Sequence, residues 1–367
     1  MISPPAALRA DVPLAPFTTL ELGGAARWLL HAERDDDVVE ALRWAAAQGH
    51  PAALLGGGSN VVASDAGFPG LVVRLATRGL EVAREADTIL LTAAAGEPWD
   101  EVVALAVGEG WAGVECLSGI PGTTGATPIQ NVGAYGQEVG DVLRGVRALD
   151  RRTWRVVTLN PSELGLGYRA SHLKRHPGRY AVLAVTLALT PRGRPTVRYQ
   201  ELAALLAARR HPPTLREVRD AVLELRRGKS MLLQPHDPNR RSVGSFFLNP
   251  VLPLTVADEV ARRAVAAGCI ARPEELPRFA APPGQVKIPA AWLVERAGFA
   301  RGFRRGPVGL STRHALALVH HGGGSAAELL ALAADIAAAV RDRFGLTLAS
   351  EPTSLDGSPL LPQPRPA

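Results

Sequence analysis

Cysteine is almost absent from the 367 residues: only Cys116 and Cys269 occur, far apart and outside any CxxC pair. That excludes a disulfide framework and a cysteine-built zinc site, and no metal is expected. No run of about 18 uncharged apolar residues exists, so no membrane insertion is expected. The stretch Met1 to Val12 lacks the apolar core of a secretory signal. Lysine occurs only at 174, 229 and 287, so arginine carries nearly all the positive charge behind the net +6. Those arginines are scattered and aromatics make up only 5%. The basic run with interleaved aromatics that marks a nucleic-acid surface is therefore missing. A modest positive surplus suits a small anion such as a diphosphate. No heptad or internal repeat suggests assembly. The expectation is a cytoplasmic monomer acting on a small ligand.

What the chain does have is length and apolar content. Its 47% hydrophobic residues suffice for two or three domains. Residues 1–15 are rich in proline and alanine and are expected to be loosely ordered. Strands are predicted near 26–31, 52–55, 72–75 and 88–95, with helices across 37–48 and 98–110. Residues 144–159 pattern as a hairpin turning near Arg151, and 180–189 alternates as a strand should. A helix over 214–228 runs into a loop at 234–242 rich in Pro, Asn, Asp and Arg, where a domain boundary is placed. Helices near 255–267 and 288–298 follow, then a β-pattern at 315–319. Ser325-Ala-Ala-Glu328 is a capping box opening a helix with Leu329, Leu330, Leu332, Ile336 and Val340 on its apolar face. Leu346–Leu348 carries a last β-pattern. Mixed elements over two unequal parts predict an α+β protein.

Five segments could carry chemistry. Leu55 is followed by Gly56-Gly57-Gly58-Ser59-Asn60, directly after an apolar strand. Successive unobstructed N–H groups there could cradle a phosphate; a flexible turn is the alternative. Gly119-Ile120-Pro121-Gly122-Thr123-Thr124-Gly125-Ala126 precedes Gln130, Asn131 and Gly133. Small residues let backbone approach a ligand, the threonines can donate to phosphate oxygens, and Gln130 with Asn131 offers amides to a heterocycle. A structural loop is the alternative. Neither segment fits GxGxxG, and Gly228-Lys229-Ser230 lacks the earlier glycine of a phosphate-binding loop, since position 223 is leucine. Arg169 in Gly-Tyr-Arg is either a solvated charge or an anchor. Ser245 lies between Gly244 and Phe246-Phe247, either in a water-poor site or as a satisfied buried hydroxyl. It is no GxSxG elbow. Glu351, taken alone, reads as a surface carboxylate.

In this order the segments LGGGSN (55–60), GIPGTTGATPIQNVGAYG (119–136), GYR (167–169) and GSFFLNP (244–250) resemble the UDP-N-acetylenolpyruvoylglucosamine reductase family, over roughly residues 16–352. The resemblance implies a two-subdomain FAD-binding unit of the vanillyl-alcohol-oxidase type plus a C-terminal α+β substrate-binding domain. It divides the chain at 1–80, 81–228 and 229–356, with a flexible tail at 357–367. It implies FAD held non-covalently by the two glycine loops, NADPH as hydride source, and a UDP-sugar substrate. Hydride would pass from NADPH through FAD to the enol ether carbon, leaving an enolate that a protein acid protonates to give the lactyl ether. Arg169 matches the residue that stabilises that enolate, Glu351 its assistant, and Ser245 the proton donor. Lys229 is a candidate for supporting Ser245 or for the diphosphate. Tyr199 matches a tyrosine on a substrate-capping loop, and Asn249 a substrate-contacting amide. The chain departs from the family before Glu351, where Ala349-Ser350 replaces the usual acidic-proline pair. Alternatives are another FAD oxidoreductase of the same domain class acting on a small alcohol or lactone, and a non-catalytic binder of nucleotide sugars.

Overall fold

A computed structural model describes residues 3–207 and 211–362. The N-terminal part builds a four-stranded sheet in the order Arg9–Pro13, Ala25–Ala32, Phe68–Leu75, Ala52–Leu55. The last two pairings are parallel, and helix Asp35–Ala47 packs across the sheet through Val38, Ala41, Leu42 and Ala45. Residues 9–15 are thus ordered, contrary to expectation. Val12 and Leu14 are buried, and the chain pairs antiparallel with Ala25–Ala32. Burying two apolar side chains outweighs the proline-rich composition.

The second sheet is antiparallel, ordered Arg155–Leu159, Leu143–Asp150, Tyr180–Pro191, Thr88–Ala94, Leu80–Glu85. The expected hairpin is there. Leu80–Glu85 is an edge strand exposed at every residue, and its alternation at Leu80-Glu81-Val82 ends at Ala83, too short to mark a strand in the sequence. Helix Leu215–Gly228 begins where Thr214 and Glu217 exchange capping-box hydrogen bonds. It buries Leu215, Val218, Ala221 and Val222 along one stripe.

The C-terminal part has its own core. Phe246, Phe247, Leu293, Leu318, Leu329, Ile336 and Phe344 are almost fully buried in it, and Leu20, Leu22 and Val62 reach into it from the N-terminal part. Helix Ala326–Phe344 starts at the Ser325 cap and stops at Gly345, which adopts φ +73°. Asp65 adds a tie between the two parts, accepting the Ala326 and Ala327 N–H groups at 2.7 and 2.8 Å. Leu346 and Leu348 are buried as their alternation implies, but they join no strand.

The chain end also differs from expectation. Thr353 pairs with Val61, Leu355 packs beneath the first sheet, and Leu361 is 7% exposed within the C-terminal core. Residues 353–361 therefore form a strap over the N-terminal part and not a frayed tail. Partly buried Leu355 holds it on the first sheet and buried Leu361 on the C-terminal core. The rest of the expected tail, 363–367, lies outside the described residues. No helix among the described residues is long and apolar enough to cross a membrane.

Candidate functional site

One cavity of about 520 Å³ lies where the two parts meet. That is within the range of cofactor and ligand sites. The two glycine loops form one wall, packed backbone to backbone. A Cβ on Gly57 would stand 2.7 Å from Gly122 Cα, and one on Gly58, at φ +66°, would stand 2.0 Å from Phe17 O. The glycines are there for close approach, which a flexible turn would not require. Ser59 Oγ donates to Pro121 O at 3.1 Å, and Asn60 Nδ2 donates to Gln130 Oε1 at 3.0 Å, cross-linking the loops.

The backbone donors of the first loop remain free. Among the described residues no N–H of 56–60 donates to a protein acceptor, and buried Thr123 Oγ1 has no partner. Buried polar groups are normally satisfied. A row of unpartnered amides with an orphaned hydroxyl is the donor set a diphosphate takes up. These residues therefore fit the diphosphate-bearing cofactor that the glycine loops suggest.

The second wall carries charge. Gly167 and Ala170 exchange backbone hydrogen bonds at 3.0 and 3.1 Å, closing a turn that holds Arg169 at φ +52°. A non-glycine residue held there is strained, as functional residues often are. Arg169 Nη2 donates to Gly133 O at 2.8 Å, Nη1 reaches Asn131 O at 3.4 Å, and Nε lies 2.8 Å from Glu351 Oε1. The Nε–H is not aimed for a hydrogen bond, so this contact is an ion pair. Glu351 is placed by an antiparallel pairing that no local pattern announces. Leu248 N–H donates to Ala349 O at 3.0 Å, Phe247 bridges Ser350, and Glu351 N–H donates to Phe246 O at 2.8 Å. Glu351 thereby sits beside the Ser245 strand end, and both residues line the cavity with Arg169. The altered residues before Glu351 leave this arrangement intact, because the ladder uses backbone groups only.

Of the residues singled out from the sequence, Gly56, Gly57, Gly58, Ser59, Asn60, Ile120, Pro121, Gly122, Thr123, Gly125, Ala126, Gln130, Gly133, Tyr199 and Lys229 also line the cavity. Four do not. Gly119 N–H is taken by Asp100 Oδ1 at 2.6 Å, and Thr124 Oγ1 donates to Glu97 O at 3.1 Å. The Asn131 amide donates to Glu138 and Gly167 O and accepts from Gly140 N–H. It supports the loop and has no group left for a heterocycle. Asn249 Oδ1 accepts the Ala290 N–H at 2.8 Å, at the start of helix Ala290–Arg296, and Asn249 lies beside the Tyr168 hydroxyl.

Lys229 is ion-paired with Glu201 and lies 5.9 Å from the Tyr135 ring centroid. Burial opposes its charge, but Glu201 and Tyr135 outweigh that and hold its pKa above the usual lysine range. Tyr199 stacks edge-on against Tyr135 with centroids 5.3 Å apart.

A family model described as the C-terminal domain of UDP-N-acetylenolpyruvoylglucosamine reductase matches residues 234–355, and an FAD binding domain model matches residues 26–160. The UDP-N-acetylenolpyruvoylglucosamine reductase of Saccharopolyspora erythraea is 48% identical, over 94% of each chain. That of Streptomyces coelicolor is 46% identical over 94% of this chain and 89% of its own. The chain belongs to the UDP-N-acetylenolpyruvoylglucosamine reductase family. A crystal structure of the reductase from Thermus caldophilus superposes with TM-score 0.63 at 25% identity, covering 95% of this chain and 99% of that one.

Membership in the reductase family leaves several cavity residues unaccounted for by sequence reading. Lys174, Tyr135, Arg226 and His314 line the cavity but carry no motif signal strong enough to separate them from ordinary surface or core residues. His314 is the clearest. Its Nδ1 accepts the Leu316 N–H at 3.1 Å, which leaves the proton of the neutral ring on Nε2. Burial, with Lys229 and Arg226 nearby, pushes its pKa down to about 4.

Proposed function

We propose that this chain reduces UDP-N-acetylenolpyruvoylglucosamine to UDP-N-acetylmuramate, with FAD along the glycine loops and the UDP-sugar against Ser245. The observation that carries the site assignment is the pairing of 246–248 with 349–351, which sets Ser245, Glu351 and Arg169 around one cavity continuous with the open amide cradle. When bound, FAD supplies the hydride for the enolpyruvyl carbon, with NADPH as the source; the resemblance adds that it is held without a covalent link.

The protein groups handle charge and protons. Negative charge that grows on the substrate carboxylate needs a fixed cation in a dry place. Arg169 supplies it, its guanidinium held by two carbonyls and by Glu351. Glu351 is the positioning partner: it keeps the Nε edge in place, so ligand meets the remaining face. Ser245 donates its hydroxyl proton to the carbon beside that carboxylate. A serine hydroxyl is a weak acid, so only a strongly basic carbanion in a water-poor site can take its proton; Phe246 and Phe247, buried in the C-terminal core, anchor the segment that carries Ser245. Lys229 and Tyr199 meet the substrate diphosphate. An incoming phosphate competes with Glu201 for Lys229, and Tyr199 immediately precedes the helix Gln200–Leu206 that carries Glu201. Displacing that helix start would release Lys229 and reposition Tyr199 together. The same reading assigns 1–80 and 81–228 to cofactor binding and 229–356 to substrate binding, in a cytoplasmic monomer.

Stopped-flow spectroscopy of Ser245→Ala tests the assignment. Flavin reduction by NADPH should stay near the wild-type rate. Reoxidation by the enolpyruvyl sugar should slow by about 10²–10⁴-fold, the usual worth of a positioned acid. Equal slowing of both halves would make Ser245 structural.

A further inference from the structure

Lys174 is a cation that the reaction as described does not use. It lines the cavity, and among the described residues its ammonium makes no hydrogen bond and no ion pair. Nearly every other charged side chain around the cavity has a protein partner: Arg169 with Glu351, Lys229 with Glu201, Arg240 with Glu21. Lys174 feels both members of the first pair. Burial pushes its pKa down, Glu351 raises it and Arg169 lowers it again. An ammonium held partly buried without a partner is costly, so a ligand anion is the natural complement.

Its attachment says which one. Ser171 caps the short turn His172–Arg175, accepting the Lys174 N–H at 3.0 Å while its own hydroxyl donates to Ile129 O at 2.5 Å. Lys174 is therefore fastened to the 119–134 loop. Leu173, Ile129, Ala126 and Tyr180 line the same cavity. The 119–134 loop is one of the two glycine loops assigned above to the cofactor, so Lys174 sits on the cofactor side, within electrostatic reach of Arg169 and Glu351. Ser245, Lys229 and His314 come from other segments. The cofactor's diphosphate already has the amide cradle. What remains is the flavin ring, which takes up two electrons and one proton on reduction to its anionic form and so gains one negative charge.

We infer that Lys174 is the cation that stabilises the negative charge the flavin ring gains on reduction, and that it thereby sets the redox poise of the site. Protein charge near the ring is an established means of tuning a flavin. The inference rests on the FAD-reductase reading above. Arg169 holds the substrate carboxylate, and Lys174, a cation within electrostatic reach of it, acts on the cofactor.

The test is the flavin midpoint potential of holoprotein at neutral pH, measured by dye equilibration without substrate. Lys174→Gln should lower it by at least about 30 mV, equivalent to a tenfold loss in preference for the reduced state in a two-electron couple. Lys174→Arg should restore most of it. The sulfite adduct, which also places negative charge on the ring, should weaken by a similar factor in Lys174→Gln and recover in the arginine variant. If Lys174→Gln does not fold, Lys174→Met replaces it, with flavin content and melting temperature checked first. Potentials that coincide across the variants overturn the inference while the reductase reading stands. An unchanged potential with weaker binding of the enolpyruvyl sugar would reassign Lys174 to the substrate. Wild-type protein that takes up no FAD would instead sink the functional reading itself.

Discussion

Gly57→Ala isolates the contact between the two glycine loops. Gly57 does not adopt a positive φ, so alanine suffers no backbone strain there and only the contact is tested. The new Cβ would stand 2.7 Å from Gly122 Cα and 3.3 Å from its carbonyl carbon. Carbon pairs prefer about 3.5–4.0 Å, so the loops must part by roughly 1 Å. Both contacts are backbone, and no side chain can swing aside. Parting them also stretches the Ser59–Pro121 and Asn60–Gln130 hydrogen bonds. Overpacking of this kind costs about 1–3 kcal/mol. If the loops must close to present their amides to a diphosphate, that cost appears in FAD affinity as roughly ten- to a hundredfold, at about 1.4 kcal/mol per tenfold. The assay is titration of apoprotein with FAD, followed by quenching of flavin fluorescence. Gly108→Ala is the control: it ends helix Trp99–Gly108 with no heavy atom within 4 Å of the added carbon, so affinity should not change. Equal FAD affinity for Gly57→Ala and wild type would refute the view that the loops act as one packed cradle.

Three further outcomes are expected. His314 has a folded pKa near 4, below its ordinary value, so the unfolded chain binds more protons between the two. Its neutral form therefore favours folding above about pH 6.5, and that contribution falls as pH drops toward 4. Ring resonances followed by NMR should titrate near 4, and a midpoint above 6 contradicts the burial. Asp100 accepts Arg219 at 2.6 and 2.9 Å and Gly119 N–H at 2.6 Å. Burial opposes its charge, but these bonds outweigh it and hold the carboxyl below the usual range. Its stabilisation is present above its ordinary pKa and is lost as pH falls through the folded value. Asp100→Asn should thus lower the melting temperature at pH 7, with the gap to wild type closing below about pH 4; a pH-independent gap would point to a steric cause. Ending the chain after Pro352 removes Leu355 and Leu361 from their cores and should cost roughly 2–4 kcal/mol by their lost burial. It also opens the cavity wall formed by Thr353–Gly357, so FAD should be lost on dialysis. Ending after Pro362 should change neither, and equal FAD retention by both truncations would remove the strap from the site.

Much of this protein could be read from the chain alone, because the relevant physics is local. Apolar periodicity marked the helices Asp35–Ala47, Leu215–Gly228 and Ala326–Phe344, and the Thr214 and Ser325 caps lie within a turn of the helices they start. The glycine loops and the Gly-Ser-Phe-Phe segment were visible as composition, and their order along the chain carried the family. Edge strand Leu80–Glu85 was not visible, since its apolar alternation spans only Leu80 to Val82 and the strand buries no face. Nor was the fate of 9–15 or 353–361, whose few apolar residues are buried by partners far away in sequence. The partnering of Arg169 with Glu351 and the placing of Glu351 beside Ser245 depend on backbone pairing between segments about a hundred residues apart. So does the isolation of Lys174, because a charge is unpaired only relative to everything folded around it. Motifs determined which atoms the chain can offer a flavin and a sugar nucleotide. Long-range packing decided which of those atoms are already taken, as with Asn131 and Thr124, and which remain free for a ligand.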